Sequence, residues 1–416
     1  MNKANLKNKG ISLLLAIVIL ATTIFIPTPV GAAAATSSKI KLYNFIKLAV
    51  QATGLEVETT YLNAALKAGI VKEGDFSDYS KYTTRTDAAV ILNRADEYLH
   101  GDKVDTEFLT LVLSSRISDI KQIDADKREA VAKIYAKGFV KGYSNGYYIK
   151  SREYRGSEYM TTAGAKNVIS MLKDTKKRAK LSPDGQLIRT TDLPKNAKQY
   201  PYILETYPNT FYEMKFMYQN TEYSYKPVEL LDYASPAKIN ATMKGLETDS
   251  TGKCVYVDDW IKKIELNLKT RLNVDYRTID TTWLNNLRST YFVFNNATLD
   301  KDTTDDIKKY IQTVKKNKIV IKSSVITVEP STMYLKATAY RVRVYVKFKV
   351  IFSGDKLEQD DLFFGDTMKM YNLKKDKWFT GVYDISIATK NGSSDGNDYA
   401  VSDDSLNDFF YKGENK

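Results

Sequence analysis

Cysteine and histidine are nearly missing from this 416-residue chain, where Cys254 and His100 each stand alone. A single cysteine excludes an intramolecular disulfide, and a chain of this length can build its cores without one. Cys254 therefore reads as an inert thiol rather than a nucleophile. A single histidine excludes a zinc site that needs two imidazoles and leaves Ser-His-Asp chemistry only if His100 serves it. No Gly-rich phosphate loop and no nucleophile motif occurs, so no catalytic residue, cofactor or metal site is assigned. Beyond the first 35 residues no apolar run is long enough to span a bilayer. The mature chain is expected to carry no membrane span.

The amino terminus is apolar instead. Lys3, Lys7 and Lys9 precede an apolar stretch over 11–26 (ISLLLAIVILATTIFI), then Pro27, Pro29 and the small-residue run Gly31-Ala32-Ala33-Ala34-Ala35. That order predicts a cleaved export signal over 1–35. The stretch is shorter than the roughly 20 residues a spanning helix needs. Cleavage would remove three lysines and no acid, taking the formal charge from +12 to +9. A basic exported chain suits anionic polymers outside the cell. Its positive charge is spread over mixed Lys/Asp faces instead of blocks, which argues against nucleic acid.

The texture changes along the chain. Residues 37–175 read as short amphipathic helices, 176–200 as a charged, proline-containing linker, 201–390 as a Tyr-, Phe- and Val-rich α+β domain, and 391–416 as a flexible tail. Within 37–175 one pattern recurs: helix, glycine, apolar pair, turn, then another helix. Gly69-Ile70-Val71 and Gly138-Phe139-Val140 close helices, with Gly138 taking a left-handed C-terminal position. Gly142-Tyr143-Ser144-Asn145-Gly146 reads as a tight turn with Asn145-Gly146 as its hairpin signal. Thr84 is placed to cap a helix, with Asp87 completing a short capping box.

In that order, with Ile117-Ser118-Asp119-Ile120 opening the second copy and Thr84-Arg85-Thr86-Asp87 starting a helix, the region resembles the S-layer homology family. The resemblance implies an all-α-type module of helical hairpins that binds secondary cell-wall polysaccharide without a covalent bond, often one bearing pyruvyl ketals. It places binding at Arg85, Thr84, Asp87, Gly142, Tyr143 and Gly146. A guanidinium can grip a carboxylate through two parallel hydrogen bonds, glycines let a sugar approach the backbone, and Tyr143, Tyr147 and Tyr148 offer stacking surface. Two departures stand out. The family's His-Trp-Ala-like helix opening is absent, and of three helix starts only Thr84-Arg85-Thr86-Asp87 keeps its arginine. Binding is expected to be weaker than in a full triple, or confined to one groove.

In the second half, 258–272 and 303–316 carry apolar stripes at helical spacing, the latter with Thr303 and acids in front. Over 341–352 (RVRVYVKFKVIF) the period becomes two, with Val342, Val344, Val346, Phe348, Val350 and Phe352 on one face and Arg341, Arg343, Lys347 and Lys349 on a wet one. Neighbouring strands are expected at 318–328, 366–373 and 378–388. The element order is similar to the cystatin or nuclear-transport-factor-like cone, which hosts many functions. Asp300, Asp302, Asp305 and Asp306 read as helix capping rather than a calcium loop, lacking its glycine and closing glutamate. The expectation is an exported, wall-anchored protein presenting a binding or structural domain. A wall-anchored glycan hydrolase using paired carboxylates and an S-layer or adhesion component are the rival readings.

Overall fold

The computed structural model describes residues 38–214, 257–291, 297–336, 339–352, 354, 362–365, 373–388, 399–402 and 414–415. The export signal, Cys254, most of the tail and the strand expected at 366–373, Leu373 apart, lie outside them. The chain is mixed α and β. Among the described residues no helix is long and apolar enough to cross a membrane.

The front region holds α1 (Leu42–Thr53), α2 (Tyr61–Lys67), α3 (Arg85–His100), α4 (Thr106–Ser115), α5 (Arg128–Ala136), the short strands β1 (Tyr143–Ser144) and β2 (Arg152–Glu153), and α6 (Thr162–Lys173). Helices α1, α3 and α6 pack on one another, and α5 packs on α3 and α4. The extended segments that lead into α1, α3 and α6 close a ring. Ile40 N donates to Met160 O at 3.1 Å, Met160 N to Thr83 O at 2.8 Å, and Thr83 N to Ile40 O at 2.9 Å. Ile40, Thr83 and Met160 point inward and are buried. The alternation of extended backbone therefore turns their neighbours outward.

Local expectations here hold in part. The Thr84–Asp87 capping box forms in both directions, and Gly69 and Gly138 are left-handed at φ 72° and 74°. The hairpin is wider than the Asn-Gly signal implied. β1 pairs antiparallel with β2, so residues 145–151 form the connection. Asn145 Nδ2 is taken up by Ser118 Oγ and Ser151 O, both at 3.1 Å.

The second region holds α7 (Asn209–Glu213), α8 (Val257–Arg271), β3 (Val274–Asp275), α9 (Thr281–Arg288), α10 (Ala297–Asn317), β4 (Val320–Lys336), β5 (Ala339–Phe352), β6 (Phe379–Ala388), β7 (Ala400–Val401) and β8 (Glu414–Asn415). The antiparallel sheet runs β3-β4-β5-β6-β7, with β8 also on β6. Register shifts in β4 after Ser323 and Glu329 mark irregularities of the kind that bend and twist a strand. Helix α10 starts at Ala297, so Thr303 and the nearby acids lie inside it and do not cap it.

The valine row of β5 is buried, as its period predicts, against Trp260, Ile264 and Leu268 of α8. Its opposite row is not uniformly wet. Arg343 is fully buried and meets Asp384 of β6 at 2.8 Å, and it also donates to Phe211 O and Met214 O. Residues 200–214 put an aromatic cluster there, including Tyr207, Phe211 and Tyr212.

Residues 176–200 do not run as an open linker. Leu181 bridges Leu187, and Ile188 bridges Leu204. Asp184 sits between Arg116 at 3.2 Å and Lys150 at 3.5 Å, while Gln186 Nε2 reaches Glu329 Oε2 on β4 at 3.1 Å. Lys150 Nζ also donates to Val328 O at 2.7 Å, and Tyr148 stacks on Tyr345 at 3.5 Å. Front and sheet are thus joined through buried polar groups.

Burial alone would raise the Asp184 carboxyl, but Lys150 and Arg116 bring it below its ordinary value. Glu329 is raised by burial and by the Asp184 charge, against Lys150. A depressed carboxylate stabilises the fold above its unfolded value of about 3.9 and loses that contribution as pH falls through the depressed one. Asp184→Asn should therefore lower stability by about 1.5–3 kcal/mol at neutral pH, the worth of a hydrogen bond to a charged group. The deficit should shrink in acid. Urea unfolding across pH checks this, and a deficit independent of pH would remove ion pairing as its cause.

Candidate functional site

The site is built outward from the start of α3. Asp119, from the Ile-Ser-Asp-Ile opening, accepts from Tyr154 N and Arg155 N, both at 2.7 Å. This carboxylate fixes a turn in which Arg155 is left-handed at φ 58°. The fixed turn presents Tyr154 O to Arg85 Nε at 2.8 Å, and the Tyr154 hydroxyl returns a 2.7 Å bond to Arg85 O. Burial pushes the Tyr154 phenol well above its usual range, so it stays a donor. The Arg85 guanidinium carbon lies 5.0 Å from the Tyr154 ring centroid and 5.3 Å from that of Tyr143, within cation–π range.

Arg85 is thus oriented through Nε and two rings, while its terminal amines keep no protein acceptor among the described residues. The amides at the helix start are occupied. Arg85 N donates to Glu158 O and Thr86 N to Gly156 O, and Asp87 N donates to Thr84 Oγ1. An anion here would meet the side chain, not the helix end.

Arg85 lines a groove of about 710 Å³ between α3, the turn after α5, and α6. Arg85, Gly142 and Tyr143 of the expected set meet in it. Thr84 and Asp87 stand behind it, Asp87 being buried and 3.2 Å from Lys81. Gly146 lies away from it in an exposed turn, with nothing near where a Cβ would stand. Tyr147 is exposed outside the groove, and Tyr148 faces the sheet. Of the three candidate stacking tyrosines, Tyr143 alone lines it.

Sequence reasoning missed the opposite wall. Lys141, Lys176, Lys177 and Lys180 line the groove, with Glu158 as its lining carboxylate. Lys176, Lys177 and Lys180 are exposed. Arg178 is spent on structure, bonded to Asp96 and Met171 O and laid over Phe139. The wall is held close by Gly138, whose carbonyl accepts from Ala179 N at 2.8 Å. A Cβ on Gly138 would fall 2.2 Å from Ala179 O. The run Thr-Lys-Lys-Arg-Ala-Lys signalled charge, but nothing local signalled this contact.

A second groove of about 930 Å³ lies between α2, α3 and α5, beyond Gly69. Two of its cations are held by carboxylates. Arg94 binds both oxygens of Asp75, and Lys133 is held by Glu97, Asp102 and Glu129. Burial would lower Lys133, yet these three partners raise it. In the Arg85 groove the arginine has no such carboxylate partner among the described residues, whereas Arg94 and Lys133 of the second groove do. His100 Nε2 lies 2.9 Å from Leu172 O, a structural contact. Among the described residues no cluster of three or more His, Cys, Asp or Glu side chains could hold a metal ion.

A helical region with an open cationic groove is thus fused to a curled antiparallel sheet. Residues 116–150 match the family model of the S-layer homology domain, which supports an S-layer homology domain in this stretch of the chain. Such domains generally bind cell-wall polysaccharides, which makes this a cell-surface or wall-associated protein. No curated protein and no solved structure matches the chain.

Gly138→Ala should lower the melting temperature. Left-handed backbone at a non-glycine residue costs about 1–3 kcal/mol, and the contact with Ala179 adds to it. Thermal melting by circular dichroism reads the change, and an unaltered midpoint would mean that the 176–180 wall is not held by this contact.

Proposed function

We propose that the protein is exported, is held on a Gram-positive-type wall by secondary cell-wall polysaccharide bound in the Arg85 groove, and displays its sheet region there. The front region acts as a degenerate S-layer-homology-type module of helical hairpins, with one working groove. The curled sheet with α8 on one face supports the cone-like reading of the second region. One observation carries the assignment: Arg85 lines a lysine-walled groove, fixed at Nε and within cation–π range of two rings, with no protein acceptor on its terminal amines among the described residues. That is the arrangement bidentate recognition of a carboxylate needs. A pyruvyl ketal or a uronic acid would supply the carboxylate. Tyr143, Gly142 and the lysine wall would receive the sugar around it. Export rests on the amino-terminal pattern of the sequence.

Co-sedimentation of the purified chain with Gram-positive cell walls tests this. The whole chain is used because Asp184 and Gln186 tie the front region to the sheet. Binding should require walls that retain their polysaccharide. Arg85→Ala should weaken it about tenfold or more, as expected for loss of charge-assisted hydrogen bonds worth roughly 1.5–3 kcal/mol. Arg85→Lys should recover part of it, and raising salt from about 0.1 M to about 1 M should weaken the parent. Equal sedimentation of parent and Arg85→Ala chains, with matched melting curves, would defeat the assignment.

A further inference from the structure

Where the groove opens, the surface continues as a second, outward-facing set of aromatic and cationic groups. Tyr159 lines the groove and is 48% exposed, and Tyr82 beside it is 40% exposed. Their rings meet edge to face, centroids 5.8 Å apart at 64°. Lys39 Nζ lies 4.3 Å from the Tyr159 centroid and Lys41 Nζ 4.0 Å from that of Tyr82. All four belong to the extended segments that carry the inward Ile40, Thr83 and Met160. The bridges Lys41–Tyr82 and Lys39–Thr161 set them side by side. Among the described residues no carboxylate lies within 4.0 Å of Lys39 or Lys41.

This patch is unlike an ordinary solvated face. Two neighbouring tyrosines are left in water, and the lysines over them make no close ion pair, Asp78 acting on Lys41 only at longer range. A pyranose ring offers an apolar C–H face that suits the negative face of an aromatic ring. A carboxylated sugar adds the charge the lysines lack. We propose that an acidic polysaccharide leaves the Arg85 groove over Tyr159 and Tyr82 and reaches Lys39 and Lys41, so that the protein reads a run of several acidic sugars rather than one terminal group. The inference rests on the Arg85 groove being the saccharide site. Contacts further along one polymer then form intramolecularly, at high effective concentration, so affinity rises with length until the track is filled.

Calorimetric titration of the full chain with a galacturonate dimer and decamer tests the proposal, with a poly(glycerol phosphate) of matched length as the ring-free polyanion. The decamer should bind at least about tenfold more tightly than the dimer, and more tightly than the phosphate polymer. Lys39→Ala/Lys41→Ala and, separately, Tyr82→Ala should erase most of the length preference and keep dimer affinity. Arg85→Ala should weaken both lengths. A parent that binds both lengths alike, or a Lys39→Ala/Lys41→Ala chain with the full preference, overturns the track and leaves the groove standing. Equal binding of the phosphate polymer overturns the stacking. A parent that binds neither oligomer defeats groove and track together.

Discussion

A carboxylate in one sequence motif decides where an arginine in another can point. Asp119 holds the amides of Tyr154 and Arg155, the held turn aims the Tyr154 carbonyl at Arg85 Nε, and the two amines left over keep no protein acceptor among the described residues. An arginine side chain free in water carries about 2 kcal/mol of rotamer entropy, much of which would oppose ligand capture. Here that ordering is done by the fold before any ligand arrives, and pre-organisation of this kind is how a small set of contacts becomes useful affinity. The two grooves show what the arrangement excludes. Arg94 is equally well fixed, but by Asp75, which takes the acceptor role an outside carboxylate would need.

The same economy of polar groups joins the two regions. Asp184, Lys150, Arg116, Gln186 and Glu329 are linked across the contact, and Thr327 of β4 donates to the Tyr148 carbonyl. Tyr148 itself is left-handed at φ 65°, a conformation that persists in a bulky residue only when its surroundings hold it. With its ring stacked on Tyr345, the loop after β1 serves the sheet on one side while β1 itself borders the groove.

Much of the fold was legible where the determining contacts are local. The Thr84–Asp87 box spans one helical turn, Gly138 ends α5 by its own backbone freedom, and the valine row of β5 follows from a period of two. That Arg85, Gly142 and Tyr143 share one candidate groove was legible because a motif order carried them. The rest depends on partners distant in sequence. Residues 176–200 read as a linker from their lysines and prolines, yet Arg178 finds Asp96, Asp184 finds Arg116, and Ala179 abuts Gly138. Arg343 alternates onto a polar face by its position, but the aromatic cluster at 200–214 covers that face and Asp384 neutralises the charge. Gly146 fits the motif turn, but the 145–151 connection carries it away from the groove.

The central claim concerns two nitrogen atoms, and nitrogen-resolved NMR of the Arg85 guanidinium observes them directly. In the free chain the terminal amines should exchange by rotation about the Cζ bond. On titration with a galacturonate oligomer that rotation should slow, separating the amine signals as a bidentate carboxylate clamps them. Saturable binding with the Arg85 amine signals unchanged would show that the ligand is held elsewhere and would contradict the account.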